Sequence, residues 1–379
     1  MTGHRDPKLS QGGTKMDGRR SAQSWFVRCF LGLGTLMLAA CSGDLGDARR
    51  AMAEMEPQLD HSHLSPTHLM AETVSESDLL GMPRSLAVVG HHVVVSDMAA
   101  DRAFHVFDQD SGAHLNSFGR RGDGPGEFTT FAVISRVPER SDAIDAFDPT
   151  KAQVTRLELP GGDVQQVGQR DHRRVSASGF PYDLVMLREG RAAGLGLFPS
   201  GRLGLFDLAD GGGSYAGELP DAEGQHQAII QQAYMGTLAS NPSGTRIAVV
   251  TNRASQLEIY DSDGELLSRT DGPFPFGPDY RVGRQGDYER GIRHREGYPS
   301  VAATEDRIYA LFSGRAEAHF RGWSLSHGEF VHVFNWSGEL KSVFKLDREV
   351  LRIALDNDAS TLFAVTDTPT PSVLRFRLP

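Results

Sequence analysis

Arginine and tyrosine side chains are concentrated between residues 271 and 296, where Arg281, Arg284 and Tyr288 follow a Pro-Phe-Pro-Phe run. A guanidinium presents a planar fork of donors to an acidic group, and a tyrosine ring offers a rigid contact surface. Because Tyr, Phe and Arg are enriched at the centres of protein interfaces, these residues predict the binding of a partner molecule. The alternative is a loop that only packs over the edge of a sheet.

A second group of candidates consists of single Arg or aromatic residues just ahead of or inside short apolar runs: Arg84, Phe131, Tyr182, Tyr234 and Tyr298. If those runs are the innermost strands of a ring, the residues that enter them crowd its central opening. Rigid aromatic faces and a charged fork would suit a peptide or a sugar-like ligand there. The alternative is that these residues plug the ring and bind nothing.

Familiar catalytic motifs are missing from the sequence, which has no Gly-x-Ser-x-Gly elbow, no His-Glu-x-x-His helix and no phosphate loop. A metal-dependent hydrolase or lyase of the lactonase type, with calcium in the central channel, would need three or four ligands at strand starts. Only Asp183 and Asn241 lie near such places. We therefore predict no catalytic residues, no metal ligands and no cofactor, and we keep this enzyme class as the alternative.

Cys41 is the residue with the clearest predicted chemistry. Basic residues precede an apolar run over 29–38, which is too short to span a bilayer core of ~30 Å comfortably. The run leads into Leu38-Ala39-Ala40-Cys41, which is typical of a secretory signal that ends in a bacterial lipobox. We predict a signal peptide at 1–40, with Met16 as a possible true start, and lipidation of the Cys41 sulfur.

The predicted mature chain is acidic and has no disulfide. The full sequence has 39 Lys+Arg, 49 Asp+Glu and a net charge of −10, and residues 1–40 contain six basic but only two acidic residues. The other cysteine, Cys29, lies in the removed segment. Nucleic acid and anionic lipid both repel an acidic surface, so we exclude nucleic acid as a partner and expect acyl chains to hold the molecule at the membrane.

Residues 41–65 are polar and show little apolar periodicity, so we predict a lipidated, flexible spacer ahead of a folded body at 66–379. Ser42, rather than Asp, follows Cys41, and this resembles lipoprotein signals that direct sorting to the outer membrane. We therefore predict a location in the cell envelope, with the anchor in the outer membrane and the body facing the periplasm or the cell surface.

The body is built from recurring strand-like units. Six short runs end in an aromatic residue or Leu, at 104–107, 154–157, 203–206, 257–260, 331–334 and 373–376. A pair of β-rich runs around a polar turn precedes each of them, and Gly, Asn, Asp and Pro bound the runs as in strands. Six units of about four strands predict an all-β, six-bladed propeller with a long insertion at about 271–296.

The last unit contains only three strand-like runs, whereas residues 69–74 form a spare run ahead of the first unit. An unpaired sheet edge invites aggregation, and closure of the ring removes it. We therefore predict that this N-terminal strand is the fourth strand of the last blade.

Two parts of the chain, residues 117–128 and several stretches between 297 and 347, carry a family resemblance. Residues 117–128 (SFGRRGDGPGEF) resemble the inter-blade connection of NHL-type propellers, and residues 297–315, 331–338 and 346–347 are similar to the TolB-like six-bladed propeller lipoproteins of bacteria. The resemblance covers most of 66–379 and includes the lipobox. It implies the fold and the location but no activity, and the 271–296 insertion departs from it.

These patterns predict a monomeric, lipid-anchored propeller of the cell envelope that binds or scaffolds a protein, a peptide or a small ligand. The sequence favours this function over an enzyme. A purely structural envelope spacer is a third interpretation.

Overall fold

The computed structural model describes residues 58–76, 78–138, 140–159, 167–219, 227–316 and 326–379. Cys41, the predicted signal peptide and residues 41–57 of the predicted spacer lie outside them. The described residues form strands almost throughout, with one short α-helix, α1 (Gln227–Ala233). No helix in this part of the chain has the length and apolar character needed to cross a membrane.

Two strands, β1 (Thr67–Leu69) and β2 (Ala71–Glu76), precede six antiparallel sheets that we call blades 1 to 6. Blade 1 contains β3 (Pro83–Val89), β4 (His92–Asp97), β5 (Arg102–Asp108) and β6 (His114–Arg120). Blade 2 contains β7 (Val133–Arg136), β8 (Ala143–Asp148), β9 (Gln153–Glu158) and β10 (Gly168–Arg174). Blade 3 contains β11 (Phe180–Met186), β12 (Arg191–Leu197), β13 (Leu203–Asp207) and β14 (Gly213–Ala216).

Blade 4 contains β15 (Gly236–Ser240), β16 (Arg246–Thr251), β17 (Gln256–Asp261) and β18 (Leu266–Asp271), and a separate hairpin of β19 (Tyr280–Val282) and β20 (Tyr288–Arg290) follows it. Blade 5 contains β21 (Ser300–Ala303), β22 (Arg307–Phe312), β23 (Gly328–Asn335) and β24 (Leu340–Val350). Blade 6 contains β25 (Arg352–Leu355), β26 (Thr361–Thr366) and β27 (Ser372–Arg377), and β2 is its fourth strand.

The first strand of each blade is the innermost one, and these six strands contact one another in a closed cycle, β3–β7–β11–β15–β21–β25 and back to β3. Each blade therefore packs between two neighbours, which explains why strands such as β4 and β26 are buried along their whole length. The predicted all-β, six-bladed propeller is confirmed.

Side chains on the innermost strands tie neighbouring blades together at four of the six junctions in the described part of the chain. The hydroxyls of Ser85, Ser135 and Ser300 accept hydrogen bonds at 2.9–3.2 Å from backbone N–H groups of the next blade. Asp183 takes the same role toward Leu238, whose N–H lies 3.3 Å from its carboxylate. At the junction of blades 3 and 4, a carboxylate therefore accepts the hydrogen bond that a serine hydroxyl accepts at the other three junctions.

The N-terminal strand closes the ring as predicted. β2 pairs antiparallel with β27, so that Glu72 lies opposite Arg375, and their side chains form an ion pair at 2.7 Å. β1 adds a feature that the sequence did not predict, because it pairs in parallel with β24 at the outer edge of blade 5. The segment 67–76 therefore joins the last two blades.

The aromatic or leucine residues that end the third strands are buried, as the repeat pattern predicts. Phe107, Leu157, Phe206, Tyr260, Phe334 and Phe376 are all at most 2% exposed. Phe334 of blade 5, for example, belongs to one buried cluster with Leu257 and Ile259 of blade 4. These side chains form the core between neighbouring blades.

Replacement of Phe334 by Leu is expected to lower the free energy of unfolding by about 1–2 kcal/mol, because the smaller side chain leaves a gap between blades 4 and 5. Urea unfolding measures the effect. The half-buried Phe276 provides a matched control, and the prediction fails if Phe276→Leu destabilises the protein as much as Phe334→Leu.

The predicted flexible spacer is wrong for residues 58–65, which pack against blade 5. His61 is buried and its ring stacks on Phe330 with 3.6 Å between ring centroids, while Leu59 and Leu64 contact the same hydrophobic cluster. Burial lowers the pKa of His61 to about 4, so the imidazole is neutral near pH 7 and fits an apolar surface.

Candidate functional site

The six innermost strands all start at the same end of the ring, which we call the top face, and they end at the bottom face. Every connection into an innermost strand crosses the top face. Two of these connections are long, because one contains α1 and the other contains the β19–β20 hairpin of the 271–296 insertion. The largest additions to the propeller are therefore on the top face.

Arg84 and Arg352 enter the innermost strands of two neighbouring blades at this face. Arg84 is the second residue of β3 and Arg352 is the first residue of β25, and both side chains are half-buried. Neither forms an ion pair with a carboxylate of the described residues. Burial lowers the pKa of Arg84, and burial together with repulsion from Arg84 lowers the pKa of Arg352 to about 10.

Asp183 lies on β11 of blade 3, which is opposite blade 6 in a ring of six. Its carboxylate accepts hydrogen bonds from Thr237 Oγ1 at 2.8 Å and from the Leu184 N–H at 2.9 Å, besides the bond from Leu238. Burial raises the pKa of Asp183 to about 6, whereas the hydrogen bonds and the charge of Arg352 act in the other direction. The mutual attraction of Asp183 and Arg352 indicates that both charges lie near the ring axis.

Removal of the Asp183 charge by Asp183→Asn is expected to change how stability depends on pH. A carboxyl whose pKa is about 6 in the folded protein, against an ordinary 3.8, binds its proton more tightly when folded. The free energy of unfolding therefore falls as pH rises from 4 to 6, by up to about 3 kcal/mol from this group. Urea unfolding of both proteins across pH 4–7 measures it, and an identical pH profile would contradict the assignment.

The aromatic candidates predicted from the sequence lie in different places. Phe131 is half-buried in the connection into β7. Tyr182 is buried, and its hydroxyl accepts a hydrogen bond from the Gly236 N–H at 3.2 Å between blades 3 and 4. Tyr298 is fully buried, with its hydroxyl 2.9 Å from His332 Nδ1, so it packs between blades rather than facing the opening. Of the five residues predicted there, Arg84 is the charged one, and its half-buried guanidinium is close enough to Arg352 on the adjacent innermost strand to repel it.

The insertion packs onto the propeller through its tyrosines. Tyr280 and Tyr288 stack with 6.1 Å between ring centroids and contact the buried Tyr234, and the Arg253 guanidinium lies 4.8 Å from the Tyr288 centroid. Tyr234 and Tyr288 therefore hold the hairpin in place. The other two candidates in the hairpin stay at the surface: Arg281 pairs with Glu289 at 2.6 Å, and Arg284 is exposed.

Exposed apolar side chains are also concentrated on the top face. Among the described residues, four of the large apolar side chains with high exposure lie in its connections: Leu79 (44%), Met82 (37%), Val282 (45%) and Ile292 (66%). The first two precede β3, Val282 is the last residue of β19, and Ile292 follows β20. Exposed apolar groups near arginines are typical of protein interfaces, and this face has that composition.

A buried ion network beside this region was not predicted from the sequence. Glu258 of blade 4 is completely buried and binds Arg202 of blade 3 and Arg269, each with 2.9 Å between nitrogen and oxygen. Arg202 also donates to the Tyr234 carbonyl at 2.6 Å. The network joins blades 3 and 4 beneath the connection that contains α1. A charged residue at a buried position of a strand pattern, as at Glu258, is the signal that could have revealed it.

The two residues considered for a channel metal do not meet. The Asp183 carboxylate lies beside Leu238, whose N–H it binds. Asn241 is three residues further along the chain, which is about 10 Å toward the bottom face in an extended strand. There its side chain is held by Ser243, Thr245 and Glu305. No cluster of three or more His, Cys, Asp or Glu residues that could hold a metal ion occurs in the described ranges. The donor geometry thus gives no support to the metal-dependent alternative.

The bottom face contains a cavity of about 450 Å³, lined by Arg136, Asn241, Ser243, Glu305 and Asn357 among others. Arg136 ends β7 and donates to Asn357 Oδ1 at 2.8 Å, and burial lowers its pKa. Half-buried arginines therefore occur at both ends of the ring.

Two family models match the chain. Residues 217–358 match the TolB-like 6-blade propeller-like family, and residues 58–175 match a second family that is described as a 6-bladed beta-propeller. No curated protein matches the sequence.

Solved structures match over most of the chain. A putative exported protein from Bacteroides fragilis is 13% identical with a TM-score of 0.52, over 81% of this chain and 94% of its own. Streptogramin B lyase is 12% identical with a TM-score of 0.45, and the match covers 82% of this chain and 98% of the lyase. The WD40 repeats of RRP9 are 11% identical with a TM-score of 0.48, and the match covers 82% of this chain and 97% of the RRP9 chain. At these identities the likeness concerns the fold alone.

Proposed function

Because the chain is a TolB-like six-bladed β-propeller, we propose that it is a lipid-anchored binding module of the bacterial cell envelope. The protein is a monomer that captures a protein or peptide partner on its top face. An acyl chain on Cys41 holds it at the outer membrane, with the propeller facing the periplasm or the cell surface. No cofactor takes part.

The observation that carries this proposal is the composition of the top face. Val282 is exposed on a hairpin that stacked tyrosines fix to the propeller, and Arg281 and Arg284 lie on either side of it in the sequence. Ile292 is exposed just after the hairpin. A rigid scaffold that presents exposed apolar and guanidinium groups loses little conformational entropy when it binds a partner. Leu79 and Met82 add two more exposed apolar side chains to the top face, in the connection that leads into β3.

Substitution of the two hairpin residues tests the binding surface. Val282→Asp/Ile292→Asp is expected to abolish chemical crosslinking of the protein to its partner in envelope preparations, because charge replaces the exposed apolar contacts. Leu266→Asp/Leu267→Asp is the matched control, since both leucines are exposed on the outermost strand of blade 4, away from the top face. Equal crosslinking by the two double variants would contradict the proposal.

The anchor is tested separately by metabolic labelling with a palmitate analogue in a bacterial host. The wild-type chain is expected to carry the label and to sediment with outer-membrane fractions, whereas Cys41→Ser is expected to lose both properties. An unlabelled wild-type protein, or a labelled Cys41→Ser protein, would contradict lipidation at this residue.

A further inference from the structure

The two arginines at the top of the ring have donors without acceptors. A guanidinium has five N–H donors, and the one side-chain hydrogen bond found for this pair runs from Arg352 Nη1 to the Leu351 carbonyl at 2.7 Å. No guanidinium nitrogen of either residue is among the fully buried atoms that lack a partner, so water reaches the remaining donors and an anion can take its place. The half-burial of both side chains leaves them accessible to a small group that enters from the top face.

The nearby carboxylates form no ion pair with either arginine, and three of the four are held by hydrogen bonds to other groups. Asp97 accepts hydrogen bonds from the backbone N–H groups of Gly81, Met82, Ala99 and Ala100. Asp367 is bound by His327 Nε2 at 2.7 Å, Glu296 lies 3.4 Å from His294, and Asp183 is bound by Thr237. Among the described residues the two guanidiniums therefore lack an ion-pair partner, although four carboxylates lie in their surroundings.

The position of the pair is also unfavourable for the free protein. Arg84 and Arg352 are on adjacent innermost strands and repel each other, and burial disfavours the charge of both. The carboxylates nearby offset part of this cost but form no ion pair with either guanidinium, so an anion in direct contact would relieve more of it. Such a cost is typical of a binding site that is complete only when its ligand is present.

We propose that Arg84 and Arg352 form a binding site for a carboxylate group at the top of the central channel. A planar carboxylate matches the fork of a guanidinium and can accept hydrogen bonds from both residues. A carboxylate carries a single negative charge, so the four surrounding carboxylates repel it less than they repel a phosphate dianion. This inference deepens the proposed function, on which it rests, by assigning a carboxylate to the part of the partner that enters the ring.

The test uses two probes that differ only in the carboxylate, N-acetylglycine and N-acetylglycinamide, with inorganic phosphate as the third. They are titrated into the soluble Cys41→Ser chain that lacks residues 1–40, with detection by NMR. N-acetylglycine is expected to bind, and Arg84→Gln and Arg352→Gln are each expected to weaken binding at least tenfold. Arg120→Gln is the control variant, because it removes the same charge from a side chain that is 78% exposed. This variant is expected to leave the affinity for N-acetylglycine unchanged.

The proposal is overturned if N-acetylglycine does not bind, if the amide binds equally well, if phosphate binds more tightly, or if both arginine variants keep full affinity. Thermal melts of the same variants separate a binding role from a structural one. Arg352→Gln is expected to melt at the same or a higher temperature, because it removes a repelled and enclosed charge. A lower melting temperature would make Arg352 a structural residue and contradict the assignment.

These outcomes are independent of the anchor and of the hairpin surface. If N-acetylglycine fails to bind while Val282→Asp/Ile292→Asp still abolishes crosslinking, the carboxylate site is wrong and the binding module stands. If N-acetylglycine binds and the hairpin variant has no effect, the partner surface is wrong instead.

Discussion

Deletion of residues 66–76 is expected to lower the free energy of unfolding by about 5 kcal/mol or more, because it removes the ladder between β2 and β27. Five residue pairs make up this ladder, and Val373, Leu374 and Phe376 on β27 are fully buried. Without β2 the outer edge of blade 6 is open to solvent. Since a domain is stable by only about 5–15 kcal/mol, the melting temperature is expected to fall sharply.

A disulfide across the same ladder provides the opposite test. Glu72 and Arg375 are register partners on β2 and β27, and their side chains are 53% and 20% exposed. Glu72→Cys/Arg375→Cys in the Cys41→Ser background is expected to raise the melting temperature when oxidised and not when reduced, because it closes a long loop. An unchanged melt in the deletion variant would show that the N-terminal strand does not hold the ring closed.

Replacement of Glu258 by Gln is expected to cost about 3–5 kcal/mol of stability, because it leaves the buried Arg202 without its counter-charge. The Arg202 and Glu258 side chains are 2% and 0% exposed, so water cannot replace the lost partner. The loss weakens the junction of blades 3 and 4 and the support of the connection that contains α1. Urea unfolding at pH 7 measures the change.

The matched control is Asp263→Asn, which breaks an ion pair between Asp263 and Arg191 with the same 2.8–2.9 Å spacing at the surface. Asp263 is 77% exposed, and pairs of this kind contribute at most about 1 kcal/mol. If Glu258→Gln costs no more than Asp263→Asn, the buried network does not stabilise the blade junction.

The repeat pattern predicts the blades well because strands in a closed ring are buried on both faces. Runs such as 331–334, in which His332 is the one polar residue, are therefore largely apolar and end in an aromatic residue, and Phe334 lies where the pattern predicts. The N-terminal strand could be predicted from counting strands in the last unit. The parallel addition of β1 to blade 5 could not, because three residues with one buried side chain leave no periodic signal.

The candidate site is less well predicted. Arg84 was identified from its place ahead of an apolar run, but Arg352 was not, although it has the same place ahead of Ile353 and Ala354. Alignment of the repeats on the starts of the innermost strands would have brought the two arginines together. Tyr298 was misplaced because a tyrosine that enters a strand can point toward a neighbouring blade, and sequence alone does not show the direction of a side chain.

Packing of residues 58–65 was missed for a related reason. His61 looks polar in sequence, yet its neutral imidazole stacks on Phe330 and lies among other aromatic rings. Whether a histidine is apolar depends on its pKa, which in turn depends on burial that the sequence does not reveal. The surface that receives it comes from residues more than two hundred positions later in the chain.

A crystal structure of the soluble Cys41→Ser chain grown with N-acetylglycine is the most direct test of this account. We expect six blades around one axis and the carboxylate of the probe within hydrogen-bond distance of both Arg84 and Arg352. An ion pair of either arginine with a carboxylate of the protein itself, with the probe absent from the channel, would contradict it.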